Sequence, residues 1–453
     1  MTRVLLICND IVGKNMAGPG IRYWELTRAL GQHFDVTLAV PPFIAPQTPP
    51  SGEDWLRICP TVRELRALVE DCDVVVTLGV VLFLYPFVAE SGKPLVVDLY
   101  DPFLLEDLQR KAHMDWLDRL ISYENYLEAL WLQLRAGDFF ICAGEKQRDY
   151  WLGMLSAAGR VNPYTYQDDP SLRRLIAVVP FGLPAEPPQH THPVLKGVSP
   201  FIQPHDKVIL WGGGIWEWFD APTMIKAMPR ILAHRDDVKL FFMGIKRSNQ
   251  ERARTTAVEQ AIALSKEMGL YGTHIFFNDW VPYDERQNYL LEADVGVSLH
   301  LDHVETRFAF RTRLLDYLWA GLPIVATVGD VMGETLAAQG LATLVAPGDV
   351  EGVARAILDV LRDPIDCQER RDRIQEVAKN YRWDIVVKPL ADFCAAPYTA
   401  PDKGYPIGGV IPSGKWGGWR RLLQKGWRAL RLGGARGIVT QLHEYARWKV
   451  RHL

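Results

Sequence analysis

The chain has 453 residues, 48% of them hydrophobic and 23% charged, with a formal net charge of −3. That length exceeds one ordinary core and sets two domains as the expectation, while the lack of any run of 18 apolar residues speaks against a spanning helix. The short apolar start MTRVLLICND does not read as a signal peptide, and six scattered cysteines without CxxC or Cys/His spacing fit a reducing cytoplasm better than a zinc site.

In chain order, RVLLICND predicts a strand, IVGKNMAGPG a glycine-rich loop, IRYWELTRALGQH a helix and DVTLAV a second strand. The runs CDVVVTLG, KPLVVDLYD, GDFFICAG and LIAVVPFG continue the series, with helical stretches between them. Apolar, β-branched runs alternating with helices predict a parallel sheet covered on both faces. Residues 184–204, PAEPPQHTHPVLKGVSPFIQP, read as a linker. The alternation then restarts with KVILWGGG, a helix over Ala221–His234, VKLFFMG, a helix through Leu264, THIFFND and a helix near Glu285–Glu292. ADVGVSLH, a helix in RTRLLDYLWAG, LPIVAT and LATLVA complete it. The expected fold is α/β, with doubly wound halves over 1–190 and 200–382, a helix over 383–396 and a tail over 398–453.

Open α/β sheets bind ligands beyond the carboxyl ends of their strands, so loops 13–20 and 212–214 are expected to line an interdomain cleft. Gly18 and Gly20 let backbone N–H groups and a helix N-terminus face an anion, or simply make a tight turn. The loop is not GxGxxG, and no acid is marked as a reader of an NAD ribose. Gly212, Gly213 and Gly214 permit close approach to a ligand, or free a strained turn. Trp216, Trp218 and Asp220 then shape a cleft wall or pack the domain. Asp71-Cys72-Asp73 spells DxD, but between a helix end and a strand it reads as punctuation, and no metal is expected.

The stretch ETRFAFRTRLLDYLWAGLPIVATVGD, from Glu305 to Asp330, carries the most chemistry. At about 100° per residue, Leu314, Leu315 and Leu318 share the core face, with Arg313 and Asp316 on the other side. One reading is a solvated face with an Arg–Asp pair. The other places a diphosphate at the helix N-terminus near Arg311 and Arg313, with Asp316 accepting from ribose hydroxyls.

Taken in order, VPFGLP, LWGGG, VPYDERQNYLLEADVGVSLH and RTRLLDYLWAGLPIVA resemble glycosyltransferase family 4, with the GT-B fold, over roughly residues 1–395. The resemblance implies a nucleotide-sugar on the second half, an acceptor on the first, and retaining, metal-independent transfer without a cofactor. It implies that Asp316 is the ribose ligand, one methylene shorter than the family's second glutamate. The first glutamate falls on Phe308, with Glu305 as its stand-in. The family's Arg/Lys pair is missing from WGGGIWEWFDAP, which leaves Arg311, Arg313, Lys246 and Arg247 to neutralise the diphosphate. The family's His-Asp appears as Tyr100-Asp101. Gly213, Gly214 and Trp216 fall at the donor side, Val281-Pro282 resemble the base-contacting loop, and Gly18 and Gly20 the loop closing on the diphosphate. The helix from Trp383 to Cys394 resembles the segment that crosses back to the first domain.

From Tyr398 onward there are 11 Lys/Arg and 2 Asp/Glu, a net +9 on a body of −12. On a helical wheel Trp419, Leu422, Leu423, Trp427 and Leu430 fill one arc, opposite Arg420, Arg421, Lys425, Arg428 and Arg431. That is the pattern of an interfacial helix on an anionic inner-membrane surface, or of a helix docked on the acidic body or a second subunit. A nucleic-acid partner does not suit an acidic body. The expectation is a cytoplasmic, peripherally membrane-bound glycosyltransferase acting on a glycan or lipid-linked acceptor. A GT-B epimerase and a non-catalytic glycosyltransferase-like subunit stay open beside it.

Overall fold

The computed structural model describes residues 1–42, 44, 53–198, 200–246, 255–362 and 364–403, with 427, 430, 434, 435 and 439 beyond them. The chain divides into two compact units. Unit 1 comprises Met1–Val12, Leu26–Val179 and Pro389–Leu453, and unit 2 comprises Gly13–Glu25 and Pro180–Lys388.

Unit 1 is built on β1 (Arg3–Ile7), β2 (Asp35–Val40), β3 (Leu56–Ile58), β4 (Val74–Leu78), β5 (Leu95–Asp98), β6 (Phe139–Cys142) and β7 (Ile176–Val178). Their order is β3-β2-β1-β4-β5-β6-β7 and every pairing is parallel. The continuous apolar runs follow from burial on both faces, since all five residues of β4 are buried. Leu5, Ile7, Val75, Val97 and Phe140 of the sheet share one core with Leu65, Leu130 and Trp151 of the helices. The indole N–H of Trp151 donates to the Leu99 carbonyl at 2.8 Å, so this large ring is buried without an unmet donor. Both DxD acids serve as ion-pair partners of Arg3, Asp71 at 2.6 Å and Asp73 at 2.9 Å.

The expected helix over 383–396 is two pieces, Trp383–Val386 and Lys388–Ala395. Pro389 has no N–H to donate back to the Ile385 carbonyl, and the run is interrupted at Val387 between the two pieces. The expected tail boundary at 398 also moves. Asp402, 6% exposed, accepts from Arg160 Nε at 2.7 Å and Nη2 at 3.0 Å, and Asn162 Nδ2 adds a third bond at 3.0 Å. Asp138 accepts from the Ala400 N–H at 2.8 Å and from Lys403 Nζ at 2.7 Å. Residues through Lys403 are therefore integral to unit 1. Trp419, Arg420, Arg421, Leu423, Lys425 and Arg428 lie outside the described residues.

Unit 2 contains β8 (Lys207–Gly214), β9 (Val238–Gly244), β10 (Ile275–Phe277), β11 (Val295–Ser298), β12 (Ile324–Thr327) and β13 (Ala342–Val345). Their order is β10-β9-β8-β11-β12-β13, again parallel throughout. The chain winds outward from β8 to β10 and then returns to β11 on the other side of β8. The β8/β11 junction is thus a topological switch point, where carboxyl-end loops diverge and leave a crevice.

The proline-rich stretch expected to be a linker is docked on unit 2. Glu292 accepts from the N–H groups of Val194, Leu195 and Lys196, each at 2.8 Å, and lies 2.8 Å from His190 Nε2. Composition announced the absence of regular structure there. It did not announce that one carboxylate gathers three consecutive backbone donors.

Candidate functional site

The site is assembled at the ends of β8 and β11. At the end of β8 the pairing with β9 is irregular between Trp211 and Gly214. The Gly212 N–H donates to the Tyr317 hydroxyl at 2.8 Å, and a Cβ at Gly212 would meet that oxygen at 3.1 Å. Gly213 has φ +72°, a left-handed backbone that favours glycine. The triplet sets an irregularity into the strand, which pairs again at Gly214 with Gly244, and the Gly214 carbonyl accepts from Arg313. Trp216 and Trp218 stack at 5.9 Å between centroids and pack against the unit 2 core. Asp220 caps the next helix, Ala221–Leu232, accepting from the Thr223 N–H at 3.1 Å.

After β11 the chain runs through a loop into the helix Thr312–Trp319. Its N-cap, Arg311, makes no side-chain cap hydrogen bond, because its guanidinium is directed elsewhere. Arg311 Nη1 and Nη2 donate to the two oxygens of Glu305 at 2.9 and 2.7 Å, and Glu305 is fully buried. The two side chains thus neutralise one another.

Arg313 has no such partner among the described residues. The helical wheel sets it opposite the leucines, but the structure buries it to 8% exposure. Its guanidinium carbon lies 3.8 Å from the Phe219 ring centroid and 5.0 Å from that of Trp211. Those aromatic surfaces come from the β8 region, which a wheel of one helix does not contain. Nη2 donates to the Gly214 carbonyl at 2.9 Å, while Nη1 is buried with no partner among the described residues. Burial pushes its pKa down to about 10; the Arg311 charge acts in the same direction and Tyr317 opposes it. A buried cation with no carboxylate among the described residues, at a helix N-terminus and a glycine-rich strand end, is a place for an anion.

The end of β11 and the loops after β8 and β11 carry other unmet polar atoms. Ser298 Oγ, His300 Nε2, His303 Nε2, Arg311 Nε and Glu217 Oε2 are buried without partners among the described residues. Burial and the nearby Arg311 charge push His300 down to about 3, so its imidazole is neutral. Asp330, cap of the helix Val331–Ala338, is pushed up to about 6 by burial, against the pull of Arg311.

Residues 206–363, which contain all of these groups, match the family described as Glycosyl transferases group 1. Unit 2 carries a group 1 glycosyltransferase domain. The chain has the GT-B fold, seen in solved structures of low identity. Sucrose-phosphate synthase from Thermosynechococcus elongatus is 15% identical with a TM-score of 0.61, over 87% of this chain and 98% of that one. WaaG, a glycosyltransferase involved in lipopolysaccharide biosynthesis, is 15% identical with a TM-score of 0.59, over 87% and 100%. Anabaena HepE in complex with UDP-glucose is 13% identical with a TM-score of 0.56, over 87% and 100%. No curated protein matches the chain.

Within the glycosyltransferase domain, Asp316 has a side chain 38% exposed, and its Oδ1 accepts from Arg286 Nε at 3.3 Å. Val281 is buried and Pro282 half-buried, just ahead of Tyr283, whose N–H donates to the Lys14 carbonyl at 2.9 Å. Gly18 and Gly20, expected in a loop, lie in the first turn of the helix Gly18–Leu30. Pro19 is tolerated there because a first-turn N–H has no helical partner to lose. Lys246 is exposed, its backbone N–H donating to the Asp279 carbonyl at 2.8 Å, and Arg247 lies outside the described residues. Asp101 belongs to unit 1, in the bend after β5, with its carbonyl accepting from the Phe103 N–H at 2.8 Å. The sequence reading did not single out Arg286, His300 or His303. A lone arginine in ERQNYLL and two histidines in a loop carry no periodic signal.

Proposed function

We propose that the protein transfers a sugar from a nucleoside diphosphate sugar to a glycan or lipid-linked acceptor, with retention and without a metal ion, at the cytoplasmic face of a membrane. The observation that carries the donor half is Arg313. Among the described residues its buried Nη1 has no partner, beside a helix N-terminus without a side-chain cap, an arrangement that an incoming diphosphate would complete. The solved HepE complexes, with UDP, with UDP and glucose and with UDP-glucose, support a uridine donor as the first candidate.

As the glycosidic bond breaks, negative charge grows on the departing diphosphate. A fixed cation and oriented backbone dipoles stabilise that charge without having to reorganise. With front-face attack, a phosphate oxygen takes the acceptor proton, and no protein nucleophile is required. Glu305 is then a structural counter-ion, since both of its oxygens are engaged by Arg311.

A thermal-shift panel of UDP, GDP, ADP and dTDP tests the donor half. One of them at a hundred times its Kd should stabilise the domain by about 2.7 kcal/mol. No shift with any of the four would favour the non-catalytic subunit, and release of a free epimer without acceptor would favour the epimerase.

The membrane half rests on the basic, tryptophan-bearing tail, of which Trp427 is 61% exposed. No helix among the described residues is long and apolar enough to cross a membrane. Liposome flotation should carry the full chain up with anionic vesicles and leave behind a chain ending at Lys403, which retains the Asp402 contacts. Equal partition of the two would refute membrane binding by the tail.

A further inference from the structure

Arg286 is the least expected side chain near the donor site. It is 9% exposed, with its guanidinium carbon 3.7 Å from the Tyr283 ring centroid and 4.7 Å from that of Trp319. Nη1 donates to the Tyr283 carbonyl at 2.7 Å, and Nε reaches Asp316 Oδ1 at 3.3 Å. The cage is itself held. The Tyr283 hydroxyl donates to Glu25 Oε1 at 3.0 Å, and the Trp319 indole N–H donates to the Glu186 carbonyl at 2.8 Å.

A single bond to a carboxylate that is 38% exposed contributes little to stability. Two aromatic faces and a backbone carbonyl nonetheless fix the donor of that bond in place. The arrangement orients Asp316 and leaves Oδ2 available.

We propose that Arg286 is a positioning residue that holds the Asp316 carboxylate aimed at the hydroxyl groups of the donor ribose. This rests on the donor reading above. Desolvation raises the Asp316 pKa and Arg286 opposes that rise. The other groups facing this pair are Tyr283, Glu25 and Tyr317. Glu25 is the second carboxylate near the guanidinium, and the two tyrosines are neutral, with pKa values raised by burial. Loss of Arg286 therefore moves the Asp316 pKa further up. Nucleotide binding that needs the carboxylate then fails at a higher pH than in the wild type.

The test measures the Kd of UDP, GDP and ADP and of their 2′-deoxy forms from pH 5 to 9. It compares the full-length wild type with Arg286→Met, Arg286→Lys, Asp316→Asn and the Arg286→Met/Asp316→Asn double variant. Arg286→Met is expected to weaken the bound ribonucleotide about tenfold at neutral pH, to shift the acid limb upward and to narrow the preference over the deoxy form. Arg286→Lys should return the limb toward its wild-type position, because the positive charge is kept. On the Asp316→Asn background the Arg286 substitution should add nothing. An unmoved acid limb, an unchanged ribo-to-deoxy ratio or an additive double variant would overturn the role of Arg286 while leaving the donor reading intact. Failure of the wild type to bind any of the nucleotides would remove both.

Discussion

Replacing Arg313 with alanine should lower kcat/KM for the donor by a factor on the order of a hundred or more, the scale of losing one preorganised group that stabilises transition-state charge. The unliganded protein should melt no earlier than the wild type. Among the described residues, buried Arg313 has no carboxylate partner and one of its nitrogens has no partner at all. Removing it relieves a desolvation cost, and the loss of contact with Phe219 and Trp211 offsets part of that gain. Activity and stability should therefore separate. Steady-state kinetics and a melting curve on the same preparation check this. Retained turnover would dismiss Arg313 as the diphosphate cation.

Arg311→Ala should show the opposite balance. Glu305 is fully buried, and the guanidinium binds both of its oxygens. Truncating Arg311 strands a carboxylate inside unit 2, at a cost of about 3–5 kcal/mol, or on the order of 10 °C in the melting of a unit this size. Glu305→Ala should destabilise to a similar degree by stranding the cation. Arg311→Met combined with Glu305→Leu should recover much of the loss, because no buried charge is then left unpaired. Equal melting temperatures for Arg311→Ala and the wild type would refute this lock.

The contrast between these neighbouring arginines shows where the sequence stops being informative. Strand positions were legible because burial on both faces leaves unbroken apolar runs such as VVVTL and KVILW, and the glycine triplet marked the end of β8 correctly. The fate of each charge was not legible. Arg311 and Glu305 are six residues apart in a loop, a spacing with no helical or strand periodicity. Arg313 sits on the polar arc of its own helix and is covered by rings from another element. Arg286 and Asp316 meet across 30 residues of chain. None of these pairings follows from the periodicity of a single element.

The Arg160–Asp402 contact fixes a length as well as a fold. The last residue of the continuously described chain, Lys403, is sewn into unit 1, and the tryptophan-and-arginine segment begins at Gly417. The intervening chain, fully extended, spans at most about 50 Å. The segment can therefore begin no farther than that from Lys403. An anionic surface within that radius would be sampled again after each release, so even a weak grip by the segment would favour prolonged residence over a single encounter.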